Sequence, residues 1–271
     1  MVKLLKYDFL SFRKYALPLG IVILAMGIVS GALQCVIELL TPEYAYEVDL
    51  ALSVALMALS SLSLIAYLAT FICAGILCVA VLYRFYGTMY TDEGYLTHVL
   101  PLSKGSLLFG KVLFGYLAVL GTGVAVLLSL FISHLIPFFM NGNNYYELYF
   151  EGFGKENLFL EILAEFVGAL NVLLLASSIL LLAYLSITLG AARYRRHKIF
   201  AALITFFAVE AIVSIVSTIF ELVLIPVLNI SDWYVVYELL TGAVNLILYA
   251  AVTVVSYVMT YRMIDRSLNL D

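Results

Sequence analysis

RFYGTMYTDEGYLTHVLPLSK, residues 84–104, separates two apolar runs that are each long enough to cross a bilayer. Within it stand Arg84, Asp92, Glu93, His98 and Lys104, together with Gly94 and Pro101. Charged groups are costly in hydrocarbon, and glycine and proline disfavour an uninterrupted helix. The stretch therefore predicts a structured element outside the bilayer, held between two spans. In a transporter without its own motor, force from a partner would enter at such an element.

Outward from this stretch the chain is overwhelmingly apolar. Hydrophobic residues make up 65% of its 271 residues and charged residues 12%, against about 45–50% and about 25% in soluble domains. Mean hydropathy is +1.10. A soluble domain of this length has no interior large enough for so much apolar surface, so lipid is the expected solvent. Cys35, Cys73 and Cys78 all lie inside apolar runs. Their number and spacing fit neither a disulfide framework nor a metal site, and they read as small apolar side chains.

A span needs about 20 mainly apolar residues. Six runs qualify, at about 16–41, 50–83, 107–137, 158–190, 199–226 and 234–260. The expected fold is an all-α polytopic membrane protein, a single transmembrane domain over residues 1–271. Val2–Tyr15 alternates apolar with charged residues, which suits an interfacial elbow helix ahead of the first span.

The basic residues give the orientation. Lys3, Lys6, Arg13 and Lys14, then Arg84, Lys104 and Lys111, then Arg193, Arg195, Arg196 and Lys198, then Arg262 and Arg266 all fall on one side of a six-span layout. Of the 14 Lys and Arg residues only Lys155 falls on the other side. Basic loops stay cytoplasmic, so both termini are expected there, in the plasma membrane. Adding or removing one span would destroy this sorting. The opposite side is acidic and rich in tyrosine, with Glu43, Tyr44, Tyr46, Glu47 and Asp49 in the first loop and Tyr145, Tyr146, Glu147, Tyr149 and Glu151 in the second. Tyrosines there fit the headgroup layer.

Motifs for chemistry within the chain are missing from the sequence. It has no G-x-x-x-x-G-K-[ST] phosphate loop, no H-E-x-x-H and no G-x-S-x-G. ATP hydrolysis by this chain, metalloprotease chemistry and serine-hydrolase chemistry are therefore unsupported. No catalytic, cofactor-binding or metal site is expected in it, and no nucleic-acid partner. Glu210 lies near the middle of the fifth apolar run, and Glu221 follows eleven residues later, about three helical turns on. The pair shares one helix face. It reads either as a polar spot on a translocation path or as hydrogen-bonding glue between helices. Gly121, Gly123, Ser177 and Ser178 read as small residues that ease helix packing.

The strings Arg84-Phe-Tyr, Asp92-Glu93-Gly94-Tyr95-Leu96, Leu100-Pro101-Leu102-Ser103 and Lys111, with the opening Leu4-Leu5-Lys6-Tyr7-Asp8-Phe9, resemble permeases of type-2 ATP-binding-cassette exporters. The small Firmicutes-type subunits are the nearest in layout. The resemblance implies half of an exporter in a bacterial plasma membrane. It would pair with a second permease, the same or related, and with cytosolic ATPase subunits that bind ATP and Mg. It also implies a cytoplasmic coupling helix at about Gly87–His98, with Asp92, Glu93, Gly94, Tyr95 and His98 as the ATPase-coupling residues. The short third outer loop leaves re-entrant outer helices only about Thr218–Leu240. The apolar interior suits an amphipathic or hydrophobic cargo, such as a peptide. Two other classes stand beside this one: an ion-coupled secondary transporter using Glu210, and a non-transporting membrane scaffold or sensor.

Overall fold

The computed structural model describes residues 2–41, 50–91, 103–141, 158–193, 197–228 and 234–267. Six helices occupy them: α1 Val2–Leu40, α2 Leu50–Tyr90, α3 Lys104–Asn141, α4 Leu158–Arg193, α5 Lys198–Leu228 and α6 Tyr234–Ser267. Each contains a stretch long and apolar enough to cross a membrane, as the six runs predict. The helices have 31 to 41 residues, or about 46–62 Å at 1.5 Å per residue. A hydrocarbon core is only about 30 Å thick, so the helices tilt or project beyond it.

Three boundaries differ from the sequence expectation. An elbow over Val2–Tyr15 is not a separate helix, because α1 runs unbroken from Val2 to Leu40. No glycine or proline stands before Pro18 to break it, and Pro18 is accommodated inside the helix, as prolines in spans can be. Likewise, a coupling helix does not begin at Gly87, because α2 continues through it to Tyr90. The reason is packing: Phe85, Thr88 and Met89 are buried, so the last two turns of α2 have an interior face despite their polar neighbours. Finally, α5 passes through Pro226 to Leu228, so no separate outer helix begins at Thr218. Residues 229–233 lie outside the described residues.

The helices gather into two compact units. One comprises Lys6–Val81 and Leu117–Gly152, that is, most of α1, α2 and α3. Here Gly27 and Gly31 form a G-x-x-x-G step on α1. A Cβ at Gly27 would stand 2.8 Å from the Ser129 Cα, and one at Gly31 would stand 3.0 Å from the Ser133 Cα. The α1 and α3 backbones are therefore in close approach. Lipid tails are as apolar as leucine, so spans associate through such close packing and polar contacts. Ser129 Oγ donates to the Ile23 carbonyl at 2.8 Å. Gln34 Nε2 donates to the Tyr67 hydroxyl at 2.6 Å, which lies 3.1 Å from Ser133 Oγ. One polar chain thus joins α1, α2 and α3.

The other unit comprises Met1–Leu5, Leu82–Tyr116 and Phe153–Asp271. Its centre is α4, which packs most extensively on α6 and next on α5. Leu180 to Ser186 form an unbroken buried run. Gly242 of α6 lies against Val167 and Asn171 of α4, and Asn171 Nδ2 donates to the Gly242 carbonyl at 3.0 Å. By contrast, no residue of the apolar stretch of α5 is buried. Ile199, Phe200, Phe207 and Ile212 are exposed, which is the surface a lipid-facing helix presents.

Candidate functional site

The polar interruption is narrower than the sequence suggests, since α2 claims residues 84–90. Asp92, Glu93, Gly94, Tyr95 and His98 lie outside the described residues. What the structure describes is how both ends of the interruption are anchored.

At the α2 end, the Phe85 ring stacks on Tyr184 of α4 with centroids 3.8 Å apart and planes 7° from parallel. Both side chains are almost fully buried. One turn later the Tyr90 hydroxyl donates to Thr188 Oγ1 at 2.8 Å. Thr188 in turn donates to the Tyr184 carbonyl at 2.7 Å. Gly115 of α3 admits the tip of Tyr184: a Cβ there would overlap the Tyr184 hydroxyl and stand 3.1 Å from Leu180 Cδ2. The last turns of α2 are therefore seated on α4 by an aromatic stack and a hydroxyl pair.

At the α3 end, Ser103 is the cap. Its Oγ accepts from the Ser106 N–H at 3.3 Å, and its carbonyl accepts from the Leu107 N–H at 3.1 Å. Serine is among the preferred residues at this position because its side chain satisfies a helix-end donor. Lys104 Nζ then lies 3.2 Å from Asp265 Oδ1 of α6 and donates to the Asp265 carbonyl at 3.1 Å. Both side chains are substantially exposed, so the pair contributes at most about 1 kcal/mol. It links the start of α3 to the C-terminal part of α6. The sequence places Lys104 in the polar stretch but carries no signal for Asp265 as its partner.

The second group lies within the spans. Glu210 and Glu221 fall on one face of α5, as the spacing predicts, and both are half-buried; Ser217, seven residues after Glu210, lies on the same face. Ser217 Oγ donates to Asn245 Oδ1 of α6 at 2.7 Å and lies 3.4 Å from Glu221 Oε1. This face of α5 is thus turned towards α6. Between α4 and α6 a further step is made by Ser177 Oγ, 3.2 Å from Thr253 Oγ1. The Ser217–Asn245 bond joins α5 to α6 beside Glu221. Glu210 has no hydrogen bond among the described residues.

Other sequence readings sort cleanly. Ser177 is at a helix contact, as expected of a small polar residue. Gly121 and Gly123 are not: a Cβ at either would meet nothing within 4 Å. Gly27, Gly31 and Gly115 are in close contact with a neighbouring helix or ring, and of these the spacing Gly27-x-x-x-Gly31 is a signal readable in the sequence. The three cysteines are free thiols. Among the described residues no group of His, Cys, Asp and Glu is placed to hold a metal. No protein-family model, curated protein or solved structure matches the chain.

Proposed function

We propose that the chain is the permease half of an ATP-driven exporter, energised by separate ATPase subunits. The observation that carries this reading is the interruption between α2 and α3, anchored at one end to α4 through Phe85 and Tyr90 and at the other to α6 through Lys104. A partner that pulls on residues 92–102 would act on two transmembrane helices beyond the pair it joins. The sorting of 13 of 14 basic residues to one side supports a cytoplasmic position for the interruption and for both termini. In this reading Glu93 and Tyr95 are the contacts to the ATPase, and Asp92, Gly94 and His98 shape the element that presents them. The polar face of α5 borders the route of an amphipathic cargo.

The test is purification of the full chain from its native host in mild detergent. A cytosolic ATPase should accompany it, with a hydrolysis rate that depends on this chain. Glu93→Ala and Tyr95→Ala should each weaken that association by about 2 kcal/mol, the usual size for a residue at an interface centre, while leaving membrane insertion intact. Normal complex yield and normal transport in both variants would refute the coupling assignment.

A further inference from the structure

In the α1–α3 unit, a half-open cavity of about 630 Å³ runs along α1 from Lys6 to Gly20, past Leu77 of α2, and along α3 from Leu117 to Ala125. This size is within the ~300–1,000 Å³ range of small-molecule sites. Its wall is almost wholly apolar, and its charged members are Lys6 and Arg13, both near the N-terminal end of α1. No acidic residue lines it. Gly20 and Gly121 face it from opposite helices, and a Cβ at either would meet nothing within 4 Å. The two glycines are therefore not needed for helix contact. They leave width in the groove.

The dimensions are those of one leaflet. Lys6 and Arg13 are about 10 Å apart along the helix axis, so a phosphate shared by them lies near the level of Leu10; from Leu10 to Gly20 is about 15 Å, half of a ~30 Å hydrocarbon core. Beyond Arg13 the wall of the groove carries no charge. We propose that this groove binds a single anionic phospholipid of the surrounding bilayer, its phosphate held by Lys6 and Arg13 and one acyl chain laid between α1 and α3 past Gly121. The phosphate oxygens accept hydrogen bonds from both cations. The acyl chain covers apolar groove surface that the helices themselves leave open. This inference depends on the membrane-spanning character of α1 and α3, and not on whether the chain is an exporter subunit.

The experiment uses the full chain in lipid nanodiscs of phosphatidylcholine containing a trace of photoactivatable lipid. In one arm the probe is phosphatidylglycerol with a diazirine in its acyl chain; in the other it is phosphatidylcholine with the same acyl chain. After irradiation, adducts are mapped by peptide mass spectrometry. A basic side chain at the membrane surface favours an anionic lipid by about fivefold, so two should favour the glycerol headgroup by up to about 25-fold in the peptides spanning Phe9–Gly20 and Leu117–Ala125. Lys6→Gln with Arg13→Gln, both at exposed side chains, should abolish that preference. Gly121→Phe should reduce acyl labelling of the groove by about tenfold or more without changing labelling on α5. Gly121→Ala, which fits the open space, serves as the folded control. Equal labelling by the two lipids in the unmodified protein would overturn the proposal. So would groove labelling that survives in a folded Gly121→Phe protein.

Discussion

Gly115→Ala tests the seating of α2 on α4, because the glycine is where α3 makes room for the buried ring in that stack. The new methyl group would overlap the Tyr184 hydroxyl and crowd Leu180 Cδ2 at 3.1 Å. Tyr184 has no easy retreat, since it is fully buried and its ring is stacked on Phe85. Overpacking of this kind costs about 1–3 kcal/mol. Tyr184→Phe removes the obstructing oxygen at small expense. Its bond to the Lys111 carbonyl is 3.4 Å long, beyond the usual O–H···O range of about 2.5–3.0 Å, so the loss should stay below about 1 kcal/mol. In the double variant the severe overlap is gone and the methyl group meets Leu180 Cδ2 and the ring Cζ, each at 3.1 Å, so most of the destabilisation should disappear. The coupling between the two sites should be about 1–2 kcal/mol, well above the ~0.5 kcal/mol scatter of independent sites. Thermal unfolding in detergent, followed by retention on a sizing column, reads this out at roughly 2–4 °C per kcal/mol for chains near this size. If the two changes simply add, the Tyr184 hydroxyl is not the group that Gly115 accommodates, and the packing argument collapses.

Three further outcomes are expected. Gly27→Leu should lower the melting temperature by several degrees through overpacking against Ser129, about 1–3 kcal/mol, whereas Gly20→Leu should be nearly silent because its Cβ meets open space; equal effects would contradict the close approach of α1 to α3. Glu210→Gln should keep most transport if a partner ATPase supplies the energy, and a well-folded but inactive Gln variant would instead favour ion coupling through this carboxyl. Single cysteines at positions 143 and 195, in a background without the native thiols, should label oppositely with an impermeant reagent on intact cells; labelling at 195 but not at 143 would invert the proposed topology.

Much of the architecture was legible because membrane burial is a one-dimensional signal. A run of about 20 apolar residues must be a helix in lipid, where each backbone donor and acceptor needs a partner in its own segment. Every one of the six runs therefore became a helix, and Glu210 and Glu221 fell on one face because helical period alone puts them there. Hydropathy was a poorer guide to helix ends. It stopped α2 at the first charge, Arg84, although Phe85 and Met89 have a buried face that carries the helix to Tyr90. It also separated an amphipathic opening from the first span where α1 is continuous.

The sequence by itself determined the solvent, the number of spans and the sorting of charge, since each depends on composition summed over tens of residues. Only the tertiary structure decided which small residues are contacts and which are vacant. Gly27, Gly31 and Gly115 admit a neighbouring helix or ring, while Gly20 and Gly121, chemically identical, face open space. It alone paired Phe85 with Tyr184, Lys104 with Asp265 and Ser217 with Asn245. Partner choice between spans is set by close packing and a few hydrogen bonds rather than by hydrophobic burial, and those terms exist only once the helices have met.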